Sequence, residues 1–176
     1  ADGRFIAYRT YAANLLPANA YGGVVVADQL TGETTLISRS SDGTPSNEPS
    51  FAPAISADGR YVAFVSHATN LDGNVPPLCY GDQQFTCDNI YVHDRQTGET
   101  TLISQNANGV AGNGYSRGQV ISADGRFIAF YSDARNLLQD SPDDQPLPNG
   151  NWRVSLYARE PESVSLTAPD ASGELD

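Results

Sequence analysis

Lysine and methionine are absent from this 176-residue chain, and histidine and cysteine occur only twice each. Ten arginines stand against 21 aspartates and glutamates, giving a net charge of −11. A surface so poor in positive charge repels nucleic-acid phosphates and anionic membranes, so neither is an expected partner. No apolar run approaches the roughly 20 residues that span a bilayer, so membrane insertion is not expected. Two thiols fall short of the soft ligand set that a structural zinc site wants. Phosphate loop, Rossmann fingerprint, basic patch and Asn-x-Ser/Thr sequon are all missing. No segment shows a convincing helical period. The chain opens at Ala1-Asp2-Gly3-Arg4 without Met, so a processed form or a fragment is expected. What is present, 39% hydrophobic and 18% charged, is enough to bury one real core.

Cys79 and Cys87 lie eight residues apart in a polar segment. The reading is a disulfide that staples a surface loop and contributes roughly 2–3 kcal/mol in the chain-entropy model. It implies an oxidising compartment, extracellular or periplasmic. Two unpaired thiols in a cytosolic loop are the alternative.

Self-similarity organises the chain. Ala1-Asp2-Gly3-Arg4-Phe5-Ile6-Ala7-Tyr8 returns as Ala57 to Phe64 and again as Ala123 to Phe130. Each copy is followed by Asn-Leu, at Asn14, Asn70 and Asn136. A second block, Thr31-Gly32-Glu33-Thr34-Thr35-Leu36-Ile37-Ser38, reappears unchanged as Thr97 to Ser104. The copies run at approximately 1–55, 56–121 and 122–176, within one segment spanning 1–176. The second carries a ten-residue insertion that holds both cysteines.

Each copy reads as four short strands. Asp-Gly is a hairpin turn, because the turn needs positive φ. Ser50–Ser56 precedes it, and Arg60–Ser66, a β-branched and aromatic run, follows. Asn89–Asp94 is a third strand and Thr100–Ser104 a fourth. Several strands are apolar on both faces, which suits a sheet sandwiched between two others. Four antiparallel strands per repeat, stacked face to face, make an all-β architecture of β-propeller blades.

The block Ser-Ala-Asp-Gly-Arg-aromatic-Val/Ile-Ala-Phe, followed by Ile-Tyr-Val-x-Asp-x-x-Thr-Gly, resembles TolB-like β-propeller repeats. The resemblance covers nearly the whole chain, and it implies a binding scaffold. The third copy departs from it, with Arg159-Glu160-Pro161-Glu162 where the others have Thr-Gly. Its last strands are expected near Arg153–Tyr157 and Ser163–Thr167. The first blade lacks its innermost strand, so three blades hold eleven strands and the ring is incomplete. A piece of a longer chain, completion between chains as a ring or filament, and a closed β-trefoil all stay open.

Chemistry has few places to reside. Gly114-Tyr115-Ser116-Arg117-Gly118 matches the nucleophile elbow, but no His follows it and Ser50 occupies the same repeat position. No catalytic residue is therefore expected. His67 aligns with Tyr11 and Asp133, and His93 with Ala27 and Ala158. Without a shared role, both read as structural. Asp2, Asp58 and Asp124 read as turn residues satisfying backbone donors. Asn14, Asn70 and Asn136 read as strand-end ties. Arg4, Arg60 and Arg126 are expected to pair with carboxylates, with Asp28 and Asp94 as candidates. The long loops carry Asp42, Glu48, Asp72, Asp82, Asp88, Asp140, Asp143 and Asp144, so one face is expected to be acidic and wet. Asp140, Asp143 and Asp144 are the weak calcium candidates, without the D-x-D-x-D-G spacing.

The leading expectation is an exported, non-enzymatic scaffold for protein contact or assembly, with further copies of itself among its partners. A structural protomer of a multi-chain ring or filament is one alternative. A carbohydrate-binding or hydrolase-associated propeller, with Tyr80, Phe85 and Trp152 as sugar-stacking rings, is another.

Overall fold

The computed structural model describes residues 3–16, 22–74, 76, 86–137, 153–158 and 166–167. Among them every regular element is a β-strand. The first sheet has β1 (Phe5–Thr10), β2 (Gly23–Asp28) and β3 (Thr34–Leu36). The second has β4 (Ser50–Ile55), β5 (Tyr61–Ser66), β6 (Asn89–Asp94) and β7 (Thr100–Leu102). The third has β8 (Ser116–Ile121), β9 (Phe127–Ser132), β10 (Arg153–Ala158) and β11 (Leu166–Thr167). All pairings are antiparallel and sequential. The first sheet is the one that lacks an innermost strand, as the repeat count requires. β7 is shorter than expected because Ile103 and Ser104 both turn their N–H groups to the Ile90 carbonyl.

The second sheet is apolar on both faces, and each face has its own neighbour. Val62, Phe64, Tyr91 and Leu102 pack with Val24, Val26 and Ile37 of the first sheet. Ala63, Val65, Ile90 and Val92 pack with Ile128, Phe130 and Tyr157 of the third. Period-two alternation makes this possible, since adjacent residues point to opposite faces. A strand covered on both sides needs apolar residues on both faces, and β5 has them from Tyr61 to Val65.

The expected turn and pairing devices are present at Asp58 and Asp124, at Asn70 and Asn136, and at Arg4 and Arg60. Asp58 accepts from the Ser56 hydroxyl at 2.5 Å and from the Arg60 N–H at 3.0 Å. Asp124 repeats this with Ser122 and Arg126. Those bonds hold both carboxyls below their ordinary value, the serine contributing most. Asn70 donates to the Pro45 carbonyl and Asn136 to the Ala111 carbonyl. Arg4 grips Asp28 in a two-point fork, at 3.0 and 2.7 Å, and Arg60 grips Asp94 likewise, at 2.9 and 2.7 Å. Asp2 and the side-chain contacts of Ala158 lie outside the described residues.

One alignment is corrected. The register pairs Ile128 with Tyr157 and Phe127 with Ala158, as it pairs Val62 with His93 and Tyr61 with Asp94. His93 therefore corresponds to Tyr157, not Ala158, and Ala158 takes the position of Asp94. The long connection before β10 hides this register from a reading by residue count.

Both innermost four-stranded edges carry a bulge at the same place, between Phe51 and Ala54 and between Arg117 and Val120. Gly118 there has φ +65°, and Ala52, its counterpart, has φ +50°. The left-handed region costs an L-residue with a Cβ roughly 1–2 kcal/mol. Ala52→Gly removes that strain but loosens the unfolded chain by part of it. A net gain of about 0.5–1 kcal/mol is expected, read from the urea midpoint. A loss of stability would mean that Ala52 is not strained.

Candidate functional site

β5 ends and β6, β4 and β8 begin at one end of the second and third sheets. Backbone bonds fasten this corner: His67 N–H donates to the Pro49 carbonyl at 3.2 Å, and Ser116 N–H to the Asp88 carbonyl at 2.8 Å. Asp88, just before β6, is fully buried. One carboxylate oxygen meets His67 Nε2 and the other accepts from Arg117 Nε on β8. Burial alone would push the Asp88 carboxyl up. The hydrogen bonds from His67 and Arg117 outweigh it and hold the group below its ordinary value. Asp88 is thus an anion at neutral pH, clamped between a ring and a guanidinium that both reach solvent.

Aromatic rings frame the clamp. Phe51 meets His67 edge to face at 5.5 Å. Arg117 lies over Tyr115 at 4.9 Å, and Arg9 over Tyr11 at 4.4 Å and Phe51 at 5.3 Å. Arg9, Phe51, His67, Asp88, Arg117 and Tyr115 so form a continuous rim from the first sheet to the third. Arginine and aromatic residues of this kind anchor protein interfaces.

No nucleophile joins the histidine among the described residues. Ser116 opens β8, is buried, and shares a hydrogen bond with Ser132 at 2.9 Å. Ser50 and Ser66 repeat that pair at 2.9 Å. The G-x-S-x-G match is therefore a strand start with a serine ladder, not a strand-turn-helix elbow.

The expected acidic face needs correction at Asp88, which is neither wet nor unpaired, because the Arg117 guanidinium and the His67 ring offset its burial. Asp72 is half-buried and accepts the Leu102 N–H at 3.1 Å and the Asn74 N–H at 3.0 Å. Asp42 and Glu48 are exposed. Asp82, Asp140, Asp143 and Asp144 lie outside the described residues, as do Cys79, Tyr80, Phe85 and Trp152. Among the described residues no group of three or more His, Cys, Asp or Glu is placed to hold a metal ion. No described helix is long and apolar enough to cross a membrane.

Sequence reasoning passed over the rim because its members occupy positions that differ between repeats. His67 stands where Tyr11 and Asp133 stand, and Arg117 where Phe51 stands. The available signal was an acid, an arginine and a histidine at variable positions of adjacent repeats.

No protein-family model and no curated protein matches the chain. Solved structures do. The β-propeller domain of the trilobed protease from Pyrococcus furiosus, described with an open velcro topology, is 15% identical with a TM-score of 0.51. The match covers 96% of this chain and 41% of that one. TolB from Acinetobacter baumannii is 16% identical, with 96% and 41% covered and a TM-score of 0.36. The acylaminoacyl peptidase of Pyrococcus horikoshii is 19% identical, with 92% and 22% covered and a TM-score of 0.47. The chain spans less than half the length of each. At these identities the likeness speaks to fold alone, and the trilobed protease propeller carries it. The three antiparallel sheets are therefore β-propeller blades in an incomplete ring, and their repeats resemble the TolB-like kind.

Proposed function

We propose that the chain is a non-enzymatic β-propeller scaffold for protein contact, working through the rim of Arg9, His67 and Arg117. The clamp on Asp88 carries this reading. A buried anion fixes Arg117 by one nitrogen and leaves the rest of the guanidinium at the surface, ready for a partner's acceptor. Such preorganisation spares the partner the ordering cost of a free arginine. The flanking tyrosines add apolar area with few rotamers to freeze.

Export belongs to the same reading. Cys87 is fully buried and has no free thiol, which supports pairing with Cys79 in an oxidising compartment. Calcium at Asp140, Asp143 and Asp144 is not part of the reading.

The test is a peptide array and a glycan array read in parallel with the chain and with an Arg9→Ala/Arg117→Ala double variant. Peptide binding that weakens roughly tenfold or more in the variant is expected. Glycan binding without peptide binding would move the reading to a carbohydrate module. Equal peptide binding by both proteins would remove the rim from it.

A further inference from the structure

Among the ten arginines, Arg4 and Arg60 are spent on Asp28 and Asp94. Arg95 gives one nitrogen to the Gly59 carbonyl and lies over the Phe5 ring, which covers that glycine. Arg9 and Arg117 are differently placed. Arg9 is exposed, and its guanidinium lies over the Tyr11 and Phe51 rings with no carboxylate paired to it among the described residues. A guanidinium held over a ring is fixed without spending its N–H donors. Arg117 is also exposed, and among the described residues only its Nε donates a hydrogen bond, to Asp88. Both lean toward the second blade, Arg9 on Phe51 and Arg117 on Asp88. They therefore stand at the two joints inside the chain, not on its outer faces.

These two forks set the charge of whatever covers them. A partner that seats on the rim takes both guanidiniums out of water, and a cation removed from water without a counter-charge is heavily penalised. A carboxylate meets that need and matches the planar fork with two parallel bonds. Long-range attraction does not select it. The net charge is −11, and Asp88 and the exposed Asp133, which accepts the Tyr115 N–H at 2.6 Å, offset the cations locally. What the rim offers an acid is donor geometry at close range, fixed in advance.

With the rim taken as the contact surface, on which this inference rests, we propose that the partner is an acidic polypeptide segment. It sets one Asp or Glu side chain against Arg9 and a second against Arg117, with an apolar residue between them on Phe51. Arg9 belongs to the first blade and Arg117 to the third, so each fork takes its own acid. Asp88 is a positioning residue: it holds Arg117 by Nε and leaves the other two nitrogens for the partner.

The probes are C-terminally amidated peptides with two glutamates around a leucine at varied spacing, beside glutamine and phosphoserine counterparts and free-acid forms. In anisotropy titrations on the chain, at least one glutamate peptide should bind about tenfold or more tighter than its glutamine counterpart. Arg9→Lys and Arg117→Lys keep the charge and lose the fork, and each should weaken that peptide about tenfold. Asp88→Asn makes the rim more positive, so simple attraction would tighten binding, whereas loss of the hold on Arg117 should weaken it. If Asp88→Asn loses its far-ultraviolet β spectrum, Arg117→Lys carries that arm. Glutamine peptides that bind as well as glutamate ones, with binding still lost in the Arg9→Ala/Arg117→Ala variant, would overturn the acidic partner and leave the rim standing. No peptide binding of any kind would remove the rim as well. Lysine variants that bind like wild type would overturn the forks. A preference for phosphoserine, or binding that needs a free C-terminus, would overturn the choice of side-chain carboxylates.

Discussion

Replacing Phe64 with alanine should lower the unfolding free energy by about 3–5 kcal/mol, read as a fall in the urea midpoint. Phe64 is fully buried in the joint between the first and second blades and stacks on Tyr91, ring centroids 6.0 Å apart at 23°. Val24, Val26, Ile37 and Leu71 close around the pair, so nothing can move in to fill the space. The expected loss is a large share of the 5–15 kcal/mol that holds a typical domain. In a stack of repeats it should also be local. Amides of β1, β2 and β3 should exchange faster than those of β8 and β9, because this joint packs the first blade on the second. Tyr8, at the same repeat position but half-buried, supplies the control, and Tyr8→Ala should cost about 1 kcal/mol. Equal losses at the two positions would mean that burial in the joint is not what stabilises the stack.

The repeats made most of this architecture readable. Asp-Gly followed by an aromatic and β-branched run fixes a turn and a strand locally, without help from distant residues. β6 falls on Asn89–Asp94, the expected residues, because its apolar run is bounded by an acid at one end and a turn at the other. The Arg4–Asp28 and Arg60–Asp94 pairs follow from the same periodicity, since residues that recur together at opposite strand ends meet in both copies that keep the aspartate. The rim did not follow. His67, Asp88 and Arg117 meet because Asp88, immediately before β6, lies beside the start of β8, and no periodic signal encodes that. The Phe5–Gly59 contact was equally hidden. Gly59 was legible as a turn residue, whereas its second duty, making room for a ring from the preceding blade, exists only between blades.

His93 supplies the other large effect, in the pH dependence of stability. It is fully buried on β6, facing the first blade. The Thr100 hydroxyl has one proton and gives it to the Arg39 carbonyl at 2.5 Å, so at 2.8 Å it must accept from His93 Nδ1. Nδ1 therefore carries a proton, and Nε2 is buried without a partner among the described residues. Burial, with Arg39 nearby, pushes the imidazole down from 6.5 to about 4. Between those values the unfolded chain binds a proton that the folded chain refuses. Stability should be complete above pH 6.5 and fall as the pH drops to about 4, by about 3 kcal/mol in all. The paired carboxylates act lower. Arg4 holds Asp28 and Ser40 holds Asp42 at about 2, so their contribution is present above 3.8 and is lost only as the pH falls toward 2. Urea titrations at pH 7, 5.5 and 4.5 should thus show a decline owed mainly to one ring. His93→Gln, which does not titrate, should flatten that decline whatever it costs at neutral pH. An unchanged slope in the glutamine variant would place the acid sensitivity elsewhere.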